Sequence, residues 1–252
     1  PGLSTVPYGE RAYATLIRNY TTTRMAASAI HQLGLDEVAR IEGEMTKLVP
    51  QAGFTGTVAE FERGLASDPV MHSSTKGEML QYAREILARA EPQVPRLFPR
   101  TPRMTVGVRT IPADREASAA SSYTAGTADG TRPGWFNMNT YRPTDQTKYK
   151  IEALVLHETV PGHHLQVGLA RELEGLPEFR TMFRASAYSE GWGLYAESLG
   201  SELGVYRDSS TRFGQLASEQ FRAVRLVVDT GIHAMGWSRD RAREYFALHV
   251  PS

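Results

Sequence analysis

Between His157 and His164 the chain reads His-Glu-Thr-Val-Pro-Gly-His-His, which gathers three of its seven histidines and a carboxylate into one short stretch. Neutral imidazole suits zinc, and a carboxylate beside a zinc-bound water is the usual base for hydrolysis. The chemistry on offer is therefore metal-assisted hydrolysis, with Glu158 as base and histidines as ligands. An apolar run, Ala153–Leu156, leads directly into the stretch and predicts that it starts at a buried wall. The helical zinc motif H-E-x-x-H sets its two histidines one turn apart on one face. Here the residue four after His157 is Pro161.

That departure has a physical reading. On an uninterrupted helix His157 and His164 share a face but lie roughly 10 Å apart, at about 1.5 Å per residue. One ion with bonds of about 2 Å does not span that. Pro161 removes a backbone donor and clashes with the preceding turn, and Gly162 permits otherwise strained dihedrals. Pro-Gly can then loop residues out and return a histidine to the second ligand position. Looping out two residues returns His163; looping out three returns His164. The smaller distortion favours His163. Helical neighbours point about 100° apart, so the other histidine stands behind the ligands or meets substrate. The plain alternative, a Pro-Gly helix stop with a polar cap, is weakened by His-Glu before the break and His-His after it.

The elements that must position these residues follow from periodicity. Lys148–Val160 is the expected metal helix, continued by Leu165–Leu173. Upstream, Met104–Ile111, Ala119–Thr124 and Gly134–Thr140 read as strands, with the turn-rich Ala125–Pro133 between the last two. Tyr123 is a candidate phenol for the site, although most strand tyrosines only pack. Trp135 and Phe136 read equally well as core.

Earlier still, helical spacing covers Tyr8–Tyr20, then Val38–Leu48 capped by Asp36 and ended by Pro50, then Thr57–Leu65 and Thr75–Val94. His31 and His72 are isolated and read as surface or packing residues. Downstream, Leu176-Pro177 breaks the chain before a helix from Tyr188. Thr211–Met235 places Arg222, Arg225, Asp229 and His233 on one face, flanked by Val224, Val227 and Ile232. A charge near the interior needs a partner. His233 is thus a candidate donor to a tetrahedral oxyanion, oriented by Asp229, and a purely structural Asp-His-Arg network is the equal alternative. Arg239–Leu248 is a last amphipathic helix, and His249 reads as incidental.

Composition sets outer limits. With 252 residues the chain can bury a real core. A formal net charge of +0 gives no sign of a nucleic-acid partner or an acidic membrane surface. No apolar run approaches the roughly 20 residues a membrane span needs. With Cys 0, thiolate ligands and disulfides are excluded, which leaves His, Asp and Glu for a metal.

The run His-Glu-Thr-Val-Pro-Gly-His-His-Leu-Gln from His157 resembles the signature of a bacterial family catalogued as domain of unknown function 885. The segments Gly134–Thr140, Ser189-Glu-Gly-Trp192 and Asp229-Thr-Gly-Ile-His233 share that resemblance, which covers nearly the whole chain. Family members resemble zinc metallopeptidases of the gluzincin type. The resemblance implies a mainly α fold with a small β-sheet, in a zincin-like metallopeptidase architecture. Residues 1–100 would be a helical scaffold, and residues 101–252 the zincin-like metal-site region of one continuous catalytic unit. It implies Zn2+ held by His157, by His163 or His164, and by Glu190, the residue matching the third ligand. Glu197, seven residues later on the same face, would instead orient a ligand histidine. Gly191 and Gly193 fit close packing of two helices. An edge strand beside the metal helix would pair with an extended substrate, and Gly134–Thr140 is the candidate.

The implied function is a zinc metallopeptidase acting on a peptide or small amide. The alternatives are a metal-dependent hydrolase of a non-peptide amide or ester, and a metal-stabilised binding protein without turnover. Family members run longer on both sides, so the chain reads as a segment of a longer protein, secreted or periplasmic by the same resemblance.

Overall fold

A computed structural model describes residues 2–182 and 185–250, with the side chains of 181 and 182 excepted. The described residues form α1 (Gly9–Thr21), α2 (Ala27–Gln51), α3 (Val58–Ser67), α4 (Lys76–Ala90), β1 (Val106–Thr110), β2 (Ser122–Thr124) and β3 (Gly134–Met138). These are followed by α5 (Lys148–Glu158), α6 (His163–Arg171), α7 (Glu178–Met182), α8 (Ser186–Ser198), α9 (Ser209–His233) and α10 (Arg239–His249). The fold is mainly helical with a small mixed sheet. The chain divides into two compact units: Pro1–Gly64 with Ala185–Tyr188 and Leu216–Ser252, and Leu65–Arg184 with Ser189–Gln215. The expected boundary at residue 100 thus falls inside the second unit.

The first unit rests on α2. Ile30, Gly34, Val38, Ile41, Met45 and Val49 recur at helical spacing and are buried, the stripe that an amphipathic helix needs. Asp36 was expected as a cap and is not one. It lies inside α2 and accepts a hydrogen bond from Gln32 at 2.8 Å. The stripe extends upstream through Gly34, where a Cβ would come within 2.8 Å of Val227 on α9, so the helix starts at Ala27. His31 packs as expected, with Nδ1 2.8 Å from the Thr230 hydroxyl and its ring edge-on to Trp237. His249 has a clear partner, Glu42 at 2.6 Å, and stacks near Tyr245.

The second unit carries the larger core. Thr75 caps α4 by accepting from the Glu78 N–H. Met79, Ala83, Ile86, Leu87 and Ala90 then face Val108, Phe136 and Met138 of the sheet and Ile151, Val155 and Leu156 of α5 in one buried cluster. The strand order is β1-β3-β2, with β1 parallel and β2 antiparallel to β3. Gly134–Met138 is therefore the central strand, not the edge expected of it. Its residues alternate between fully and partly buried, and both of its sides are paired. Arg84 on α4 donates to the Val108 carbonyl of β1. Helix α5 is buried nearly all round, as a helix through the middle of a core must be. Its one mid-helix carboxylate, Glu152, is paired with Arg89 at 2.7 Å and Tyr82 at 2.9 Å, which offsets the cost of burying it.

Ile86 has no exposed surface in this cluster. Replacing it with alanine should cost about 2–5 kcal/mol in chemical denaturation followed by circular dichroism. A loss below about 1 kcal/mol would contradict this account of the core.

Candidate metal centre

Helix α5 stops at Glu158, and the break that follows is tied back onto it. Thr159 leaves helical dihedrals (φ −110, ψ −115) while its N–H and hydroxyl both bond the Val155 carbonyl. The Val160–Pro161 peptide is cis. The Gly162 N–H then reaches back to the Leu156 carbonyl at 3.0 Å, and the His164 N–H to the Thr159 carbonyl at 3.0 Å. A Cβ on residue 162 would overlap the backbone carbonyls of His157 and Leu156, so only glycine fits there. Helix α6 opens at His163, and its ring meets that of His157 with centroids 4.6 Å apart at 82°.

Glu190 closes the group. The ligand atoms of His157, His163 and Glu190 all lie within 4.8 Å of one another. His157 Nε2 is 3.5 Å from one Glu190 oxygen, and His163 Nε2 is 3.6 Å from the other. Ligands on a tetrahedral zinc with bonds of about 2 Å are about 3.4 Å apart, so the spacing fits one ion. Polar contact with the His157 ring first, then with His163, holds the Glu190 carboxyl below the usual carboxylate range, with burial opposing it. It stays charged, as a ligand must. Glu197 accepts from His157 Nδ1 at 2.8 Å, and both residues are buried. That bond puts the ring proton on Nδ1 and leaves the Nε2 lone pair facing the group.

Helix α8 achieves this by close approach. A Cβ on residue 193 would overlap the His157 imidazole, whereas one on residue 191 would meet open space. The packing role expected of both glycines belongs to Gly193 alone. The Tyr206 hydroxyl donates to the Glu197 carbonyl at 2.7 Å, and the Trp192 indole donates to the Pro161 carbonyl at 2.8 Å. Neither donor was visible as such in the sequence, because the acceptor in each case is a backbone carbonyl that no side-chain pattern marks.

The remaining candidates are placed as follows. Glu158 is the buried last residue of α5, next to His157. His164 is not in the group. Its Nε2–H donates to the Met104 carbonyl at 3.1 Å, so its Nδ1 accepts the Tyr123 hydroxyl at 2.9 Å. Both ring nitrogens are thus engaged, and burial pushes the imidazole pKa down to about 4. Tyr123 accordingly points at His164, with its phenol pushed up to about 12 by burial. A Cβ at Gly134 would strike both side chains. Asp229 and His233 lie in the first unit. Asp229 accepts from the Tyr13 hydroxyl at 2.7 Å, and His233 Nδ1 accepts the Leu3 N–H at 3.1 Å. The 4.0 Å between His233 Nε2 and Asp229 is too long for a hydrogen bond.

A mainly helical chain with a small mixed sheet and a His/His/Glu group shaped for a metal ion is the class that fold and site define. The chain belongs to the family described as "Bacterial protein of unknown function (DUF885)", which matches residues 2–252. It is similar to a solved structure described as "the putative lipoprotein from Colwellia psychrerythraea", with 33% sequence identity and a TM-score of 0.92. That similarity covers 100% of this chain and 44% of the other, so this chain spans less than half the length of the protein it matches. No curated protein matches it. Among the described residues no helix is long and apolar enough to cross a membrane.

The geometry separates the adjacent histidines. His157→Ala, His163→Ala and Glu190→Ala should each abolish stoichiometric zinc in metal analysis of the purified protein, and His164→Ala should retain it. Glu197→Gln should weaken zinc binding by about 10–100-fold. Zinc lost in His164→Ala but kept in His163→Ala would reverse the assignment.

Proposed function

We propose that this chain is a zinc-dependent hydrolase, and more narrowly a metallopeptidase acting on a peptide or small amide. The observation that carries the reading is the convergence of His157, His163 and Glu190 on one point, with Glu158 following His157 directly in the chain. Zinc, when bound, supplies Lewis-acid polarisation and lowers the pKa of a bound water towards about 7. Glu158 takes a proton from the attacking water and passes it to the leaving amine. Glu197 holds the His157 ring in orientation and tautomer throughout. His233 and Asp229, in the first unit, keep partners of their own, Leu3 and Tyr13, and take no step in this reaction. An extended substrate would add to an edge strand, β1 or β2, since β3 is paired on both sides. Hydrolysis of a non-peptide amide or ester uses the same residues and differs only in the leaving group.

The second reading, a metal-stabilised binding protein without turnover, has an observation of its own. The three ligands come from α5, α6 and α8, so an ion there would tie three helices together whether or not anything is hydrolysed. The similar structure is described as a lipoprotein, with no activity in that description. The same description supports an extracytoplasmic location.

Glu158→Gln decides between them. On the hydrolase reading the variant keeps one zinc per chain and loses about 10²–10⁴-fold in turnover of a mixed peptide and ester panel. Unchanged activity, or no activity in the wild type with zinc bound, would favour the binding protein.

A further inference from the structure

We propose that Trp192 is a positioning residue for His163: its indole N–H holds the Pro161 carbonyl, and with it the loop from which His163 meets His157 and Glu190. The inference rests on reading the His157, His163 and Glu190 group as a zinc site, and it concerns how one of those ligands is kept in place.

His163 follows the Thr159–Gly162 break directly, so its position depends on a segment that neither flanking helix continues. Among the backbone bonds that fold the break onto its neighbours are those from the Gly162 N–H to the Leu156 carbonyl and from the His164 N–H to the Thr159 carbonyl. Both lie within α5, the break and α6. They fix the local shape of the break but not its distance from the third ligand, which stands on α8. The His157–Glu197 bond ties α5 to α8, and the Trp192 bond ties the break itself to that helix. The Trp192 donor is on α8, two residues after Glu190, and its acceptor is Pro161, two residues before His163. Pro161 has no N–H to offer, so its carbonyl is the group through which the proline can be held by hydrogen bonding. The indole is itself held, with its ring edge-on to Phe98 at 5.9 Å and to Tyr195 at 5.7 Å. Glu190 and the anchor of the loop therefore move together on one helix.

A purely space-filling role for Trp192 makes a different prediction, because the ring and the N–H can be removed separately. Trp192→Phe keeps an aromatic ring against Phe98 and loses the donor. Benzothienylalanine introduced at position 192 keeps the size and shape of the indole and also loses the donor, so it serves should the phenylalanine variant fail to fold. Phe98→Leu disturbs the ring packing and leaves the donor in place. Each folded apoprotein is titrated with zinc in competition with a chromogenic chelator, with circular dichroism as the check on folding. The expected result is a zinc Kd raised about tenfold in both donor-deleted variants, the scale of a lost outer partner at a metal site, and an unchanged Kd in Phe98→Leu. A wild-type Kd in the donor-deleted variants overturns the inference while leaving the zinc site intact. A Kd raised equally in Phe98→Leu also overturns it, by showing that packing alone is responsible. Failure of the wild-type protein to bind zinc overturns both the site and the inference.

Discussion

The structure depends on one conflict of lengths. A helix advances about 1.5 Å per residue, so six residues separate His157 from His163 by roughly 9 Å along an unbroken axis. Two ligands of one ion must approach within about 3.4 Å. The Thr159–Gly162 break resolves the conflict by taking residues out of the helical path, and the two rings meet at 4.6 Å. What surrounds the break is arranged to keep it folded. Gly162 lets the chain pass over the carbonyls of Leu156 and His157, and Gly193 lets α8 lie against the His157 ring. Either residue with a side chain would push His157 or the backbone beside it out of place.

The second constraint is electrostatic. Helix α5 runs through a buried core, so every charge it carries needs a partner. Glu152 has Arg89 and Tyr82. His157 has Glu197 on one ring nitrogen and faces Glu190 with the other. Glu197 of α8 therefore satisfies the buried imidazole, and Glu190 completes with it a group that could hold a metal ion. His164 shows the contrasting solution: both of its nitrogens are taken up by Tyr123 and Met104, and burial keeps it neutral. Two adjacent histidines thus play opposite parts because their neighbours differ, although their residue type is the same.

Much of this was legible in the sequence where the signal was local. Pro161-Gly162 between His-Glu and His-His is a short-range pattern, and the count of looped-out residues already pointed to His163. Alternation of β-branched residues marked the first strand to within two positions at its start. The order of the strands was not legible, because β3 takes β1 as a parallel partner from across an intervening segment, and no turn between them encodes that pairing. The start of α2 was misread at Asp36, since a good capping residue inside a long helix looks like a beginning until the buried stripe upstream is seen. Tyr123 was singled out, but its partner His164 lies far along the chain. Trp192 and Tyr206 escaped assignment for a related reason. Each donates to a distant backbone carbonyl, and a carbonyl leaves no mark in a sequence.

The central claim is that His157, His163 and Glu190 hold one metal ion. X-ray absorption at the zinc edge on the purified, zinc-loaded protein, together with an anomalous difference map from its crystals, tests it most directly. The account predicts a single zinc bounded by His157 Nε2, His163 Nε2 and Glu190, with nitrogen and oxygen neighbours at about 2.0–2.2 Å. A zinc bound through His164 or Glu197, or no zinc bound in a folded protein, would contradict it.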